Sequence, residues 1–290
     1  MLRGSRRFYE RGTPMAESFS KLKAEVARQW RLKYAEEMKK RGEPLPADFR
    51  ESEPDDGKLA PPDARRVARR AAVLGTVALR GLASTWPHED QVEFLPALLA
   101  WFAGSGLDDE IEPGEREILA APASELDNQS AADATWRWEG AAVLVAALGR
   151  FALPPHDTVV DTEACGQACG LFAEPDDLKK LIDDAAFAPT FDRDAYANRA
   201  LAISWRLRQF VHIEQKPIEF AKYAAGVEWA TFDVRDVAMA GGDLSINGKP
   251  IARAAKSDLS TAMSIANERH QAANWLIGWH AVYGEVETPS

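Results

Sequence analysis

Two cysteines in a chain of 290 residues are too few for a disulfide scaffold. Cys165 and Cys169 stand one helical turn apart, a spacing that puts both thiols on one helix face but seldom in disulfide geometry, so two buried reduced thiols are expected. Long apolar runs are also missing. A membrane span needs roughly 20 apolar residues, and the longest candidate, residues 140–149, reaches about half of that. The N-terminal arginines are not followed by an apolar stretch, so no secretory leader is expected and a cytoplasmic location is the default. No Gly-x-Ser-x-Gly elbow, phosphate-binding loop, dinucleotide fingerprint or His-Glu-x-x-His pair occurs. None of the common hydrolase, nucleotide or zinc chemistries is therefore indicated, and no cofactor is expected.

Basic charge is in short supply overall, with 35 Lys/Arg against 45 Asp/Glu and a net charge of −10. The balance is uneven. Residues 1–41 hold twelve Lys/Arg and five Asp/Glu, a charge of +7, which leaves −17 for the remainder. An acidic body disfavours broad nucleic-acid binding, because phosphate contacts need a concentrated basic surface. It suits a basic protein partner instead. In the basic arm Phe19, Leu22, Val26, Trp30 and Tyr34 recur at helical spacing, so residues 16–40 read as an amphipathic helix that packs on its own domain or on a partner. Residues 42–63, with five prolines and two glycines among many acids, read as a linker, and 64–290 as the helical domain.

What the chain has in quantity is apolar helix. Asp63 can cap a helix whose Val67, Ala71, Leu74, Ala78 and Leu82 form one stripe, with Arg65, Arg66, Arg69 and Arg70 around its first turns. Four arginines could grip a phosphate, but with so many acids nearby ion pairing is the expectation. Residues 94–102 make a further helix ending at Gly104-Ser105-Gly106, and Pro113 opens a short one. Helical patterns follow at 175–184 and 194–210. The period then changes. Residues 227–234 are rich in β-formers, and residues 243–246 meet 249–251 across Asn247-Gly248, a hairpin with a type I′ turn. The fold class expected is mainly α, a multi-helix bundle with a small β-hairpin element near residues 227–251.

The polar residues worth most scrutiny lie in the last long helix. Glu268, Arg269, His270 and Asn274 sit in a helix that reads as buried nearly all round. A charged carboxylate there must find a partner or take up a proton. Trp136-Arg137-Trp138-Glu139 leads into the uncharged segment 140–149, read as the central core helix, so Arg137 could meet Glu268 and Glu139 could meet Arg269. One reading makes Arg137, Glu139, Glu268, Arg269, His270 and Asn274 a structural polar network. The other makes Glu139 or Glu268 a general base beside His270 and Asn274, although no nucleophile accompanies them. A metal held by Cys165, Cys169 and His156 is a weak third idea, since structural zinc wants four convergent ligands.

The Trp136-Arg137-x-Glu139 lead-in to an apolar helix closing on Leu148-Gly149, and Glu268-Arg269-His270-x-Ala272-x-Asn274-Trp275-Leu276-x-Gly278, resemble the bacterial domain-of-unknown-function family 4272. Arg66, Arg70, Leu74, Glu115 and Glu117 agree more loosely, and the likeness spans roughly residues 64 to 288. It implies a helical core with a small β element and no established activity. At its end this chain departs from the family, with Tyr283-Gly284 where the family has Trp-Asp ahead of Glu287-Thr288. The resulting functional expectation is a non-catalytic protein-binding component, immunity-type or adaptor. A hydrolase using Glu139, Glu268 and His270 is the alternative, and nucleic-acid binding through the arm or the Arg65 to Arg70 cluster a third.

Overall fold

Backbone contacts divide the chain between Lys58 and Leu59. The computed structural model describes residues 60–286 and Thr288, so the expected arm helix at 16–40 and nearly all of the expected linker lie outside the described residues. Helix α1 (Ala64–Ala83) begins where Asp63 accepts a hydrogen bond from the Arg66 amide at 2.8 Å. Val67, Ala71, Leu74 and Ala78 on its inner stripe are fully buried. Four elements then circle its outer side: α2 (His88–Gly104), α3 (Pro113–Ala120), and, after the central helix α4 (Asn128–Ala147), the short α5 (Thr162–Cys169) and α6 (Pro175–Asp183). Asp127 caps α4 by accepting from the Gln129 and Ser130 amides. From Trp138 to Ala147 every residue of α4 is buried, as the lack of charge after Glu139 anticipates.

α1 and α4 form the most extensive helix contact among the described residues. Gly81 makes their approach possible. A Cβ there would stand 2.7 Å from the Ala131 carbonyl and the Thr135 amide, so any larger residue would push the two backbones apart. Next along the chain come α7 (Arg193–Arg208), continued by one π-helical turn at Gln209–Ile213, and α8 (Phe220–Ala225). A three-stranded antiparallel sheet follows, β1 (Met239–Ala240), β2 (Asp243–Ile246) and β3 (Lys249–Pro250), in the order β1-β2-β3. The long helix α9 (Lys256–Leu276) leads to a 3-10 turn at Tyr283–Glu285. The architecture is mainly α with a small antiparallel hairpin element.

The hairpin forms where expected. Ser245 pairs with Pro250 and Ile246 with Lys249, while Asn247 and Gly248 take φ of 51° and 73°. Pro250 ends an edge strand, where its missing N–H costs no ladder bond. Two details differ from the sequence reading. Residues 227–234 form no strand; Trp229 and Phe232 turn instead toward an aromatic cluster with Trp205, so burial of the rings rather than strand pairing decides that segment. The partner on the other side of β2 is β1, joined through Gly241-Gly242 with both φ positive.

Two large apolar clusters result, with a small third one of Ala197, Ala200 and Ala273 between α7 and α9. One gathers α1, α4, α5 and α6, the other α7, α8 and the sheet. Helix α9 belongs to both, with Ala262 and Ala266 in the second and Ala272, Trp275 and Leu276 in the first. Its polar motif therefore lies where the two clusters meet. Among the described residues no helix is long and apolar enough to cross a membrane.

Candidate functional site

The site is built from α4 and α9, which pack side by side and face their charged residues toward each other. Glu139 is 1 % exposed. Its Oε2 accepts from Arg269 Nε at 2.8 Å, and its Oε1 accepts from the Val160 amide at 3.0 Å. The guanidinium of Arg269 also donates to the carbonyls of Pro154, Pro155 and Thr158. One arginine thus satisfies a buried carboxylate and three carbonyls of an irregular loop that has no ladder of its own. Arg137, two residues before Glu139, donates to Glu268 at 3.2 Å and to Gln271 at 3.1 Å. Glu268 keeps 15 % side-chain exposure, and burial raises its pKa while the Arg137 charge pulls it back.

Around Gly140 this layer continues into a second one. The Tyr283 ring lies under Arg70, whose guanidinium carbon is 4.8 Å from the ring centre, and Arg137 is 5.9 Å away. Arg70, fully buried, pairs with Glu115 and lies 3.5 Å from Glu112. Glu112 in turn accepts from the amides of Tyr283 at 2.8 Å and Gly284 at 2.9 Å. Gln271 donates to the Tyr283 carbonyl. The Tyr283 hydroxyl is buried without a hydrogen-bond partner among the described residues, and burial first, then Glu268, raises its pKa strongly. A Cβ at Gly140 would overlap that hydroxyl. Tyr283-Gly284 thus forms the plug of this layer, and Gly284 fits because a side chain there would overlap the Glu112 carboxylate.

His270 and Asn274 are buried on the other side of α9, toward α7. His270 Nδ1 has no hydrogen-bond partner among the described residues, and burial, with a smaller push from Arg208, lowers its pKa to about 3. It is a neutral imidazole at pH 7, and no hydrogen bond joins it to Glu139 or Glu268. The three residues offered as acid and base are therefore brought into one helix pair but not into one reacting group. Glu139 has both oxygens occupied, Glu268 faces Arg137, and His270 faces away.

Cys165 and Cys169 are buried free thiols, and the Cys169 pKa is raised by its hydrogen bond with Cys165 and by burial. His156 does not join them; its Nε2 lies 2.8 Å from the Ser245 carbonyl. Among the described residues no group of three or more His, Cys, Asp or Glu is placed to hold a metal. The distant His is held by β2 while the thiols point into the α1/α4 core. Arg65, Arg66, Arg69 and Arg70 pair with Asp183, Glu110, Asp109 and Glu115. One polar pair escaped sequence reading. Arg206 and Asp243, 0 % and 1 % exposed, form a two-pronged bridge whose first prong is 2.7 Å. Asp243 also accepts from the Ile218 and Leu244 amides. An acid at the start of an apolar strand and an arginine in a helix full of small residues were the available clues.

Compared with known proteins, the chain matches no family model, no curated protein and no solved structure.

Proposed function

We propose that this protein acts by binding another protein rather than by catalysis, as an immunity-type or adaptor component that meets a basic partner through its acidic surface. One observation carries the reading. The carboxylate best placed to be a buried general base, Glu139, is 1 % exposed and has both oxygens committed, one to Arg269 and one to the Val160 amide. Groups used this way hold helices and loops in register, and activity must come from the surface. The −17 charge outside residues 1–41 supplies a field that steers a cationic partner and repels anions. The pairing of all four arginines near the start of α1 with acids favours the same reading over phosphate gripping. Kinship with family 4272 is part of the proposal, resting on the residues of α4 and α9 quoted above.

The test is affinity capture with the tagged full chain at low and high salt. A basic protein recovered at low salt and released as ionic strength rises is the expected result. Repeated recovery of no protein partner, together with turnover of a hydrolysable ester or amide that disappears in Glu139→Gln, would sink the reading.

A further inference from the structure

A second feature of the surface lies away from the polar motif. An open groove of about 750 Å³ runs between α8 and the segment that follows it, lined by Glu219, Lys222, Tyr223, Val227, Glu228 and Trp229. Two exposed large hydrophobic side chains are here, Tyr223 at 41 % and Trp229 at 47 %. Their rings are not loose. Tyr223 stacks on Trp205 at 4.5 Å and 12°, and Trp229 stands edge-on to Phe232 at 5.3 Å and 84°. Phe232 also leans on Trp205, itself stacked with the buried Phe220. The ring contacts that hold Tyr223 and Trp229 come from the core side, which leaves ring surface turned to solvent at little conformational cost.

The charges around these rings select the ligand. Glu219 and Glu228 make no ion pair among the described residues, and neither does Lys222 between them. The groove wall therefore carries one net negative charge next to two aromatic faces, whose quadrupoles also attract cations. A planar guanidinium fits this set better than an ammonium, because it can lie flat on an indole while its edge forks to a carboxylate. Phosphate-bearing chains, which also use exposed aromatics, are disfavoured by the two carboxylates and by the acidic body.

We infer that this groove is the contact point for the proposed partner, and that it takes an arginine side chain from a basic segment of that protein. The inference rests on the protein-binding reading and names the site at which it operates. Glu219 and Glu228 hold the guanidinium, Trp229 and Tyr223 cover its faces, and Lys222 limits the groove to one cationic group at a time.

The test uses the full chain and a short synthetic peptide with a single arginine flanked by glycines, titrated calorimetrically at low salt beside the same peptide carrying neutral citrulline. Citrulline and Trp229→Ala are each expected to weaken binding about fivefold to tenfold. Glu228→Gln should weaken it by a smaller factor, and Lys222→Ala should tighten it. All three positions are exposed, so unchanged near-ultraviolet dichroism and melting will show that folding is intact. Equal binding of the citrulline peptide, no response to Trp229→Ala, no binding of the arginine peptide, or tighter binding of an oligouridylate that Trp229→Ala abolishes would each overturn the inference. Affinity capture separates this from the broader reading. A basic partner still recovered by Trp229→Ala removes the groove alone, whereas no partner for the unaltered chain removes protein binding itself.

Discussion

Replacing Glu139 by alanine leaves Arg269 charged in a setting where its side chain is only 7 % exposed. Removing one partner of a buried ion pair typically costs about 3–5 kcal/mol, because the other charge stays behind uncompensated. Two features of the site adjust that figure in opposite directions. Arg269 keeps its three carbonyl acceptors in the 154–158 loop, which softens the loss. The Val160 amide, in a residue 4 % exposed, loses its Glu139 acceptor, which adds about 1–3 kcal/mol for an unsatisfied donor. A net of about 3–5 kcal/mol therefore remains the expectation. In a unit of this size it corresponds to a drop in Tm of roughly 6–20 °C. Urea unfolding followed by far-ultraviolet dichroism measures it, with an unchanged denaturant slope showing that the native and denatured ensembles are otherwise the same. Glu139→Gln keeps an oxygen for Val160 and should lose about 1.5–3 kcal/mol. A cycle with Arg269→Ala should show the two changes coupling by more than about 1 kcal/mol. A loss below about 1 kcal/mol for Glu139→Ala, or strict additivity in the cycle, would refute the view that this pair is an architectural element of the core.

Further outcomes follow from the same geometry. Gly140→Ala drives a methyl into the Tyr283 hydroxyl and should cost about 1–3 kcal/mol by overpacking; Tyr283→Phe, which removes a buried hydroxyl without a partner, should be neutral or stabilising alone and should relieve the Gly140→Ala loss, as thermal melts of the two single variants and the double variant would show. Because the folded His270 pKa is depressed to about 3, the unfolded chain binds more protons below pH 6.5, so the stability linked to His270 is complete above that pH and is lost as pH falls toward 3. Between pH 7 and 5 this amounts to about 2 kcal/mol, and urea midpoints of His270→Phe should fall by that much less than those of the unaltered chain; an equal fall in both would contradict it. Cys165 and Cys169, both buried and with the Cys169 thiolate disfavoured, should resist a thiol reagent in the native state and both react in denaturant; fast labelling of either under native conditions would argue for a working thiol.

Much of the fold could be read from the chain because two of its long core helices, α4 and α9, state their burial in different ways. The stretch after Glu139 has no charge on any face, which fits only an enclosed helix. The second half of α9 has charges, but at positions whose surroundings are apolar on both sides, so opposite charges had to come from another buried segment. Arg137 and Glu139 were the suitable candidates, and they lie 3.2 Å and 2.8 Å from Glu268 and Arg269. Asn247-Gly248 specified its own turn through φ. The less legible parts depend on contacts that no local pattern encodes. The six residues of α8 are too few to show a period. Val227, Phe232 and Val234 favour strands by propensity, yet the rings of Trp205 and Trp229 offered a better burial than an edge of the sheet. Gly140 looked like one more small residue at a helix start, and its need for space became apparent only with Tyr283 placed against it.

The bridge from Glu112 to the Tyr283 amide joins positions 171 residues apart, and that separation has a consequence during synthesis. At about 5–20 residues per second, translation leaves α1, α3 and α4 waiting roughly 10–30 s before the tyrosine exists. Throughout that interval the guanidiniums of Arg70 and Arg137 and the gap above Gly140 face whatever surrounds the nascent chain. The order of manufacture thus makes a later-built segment the one that seals helices built before it, and a ribosome that has not reached position 283 holds a chain in which α1 and α4 exist while the tyrosine that covers Gly140 does not.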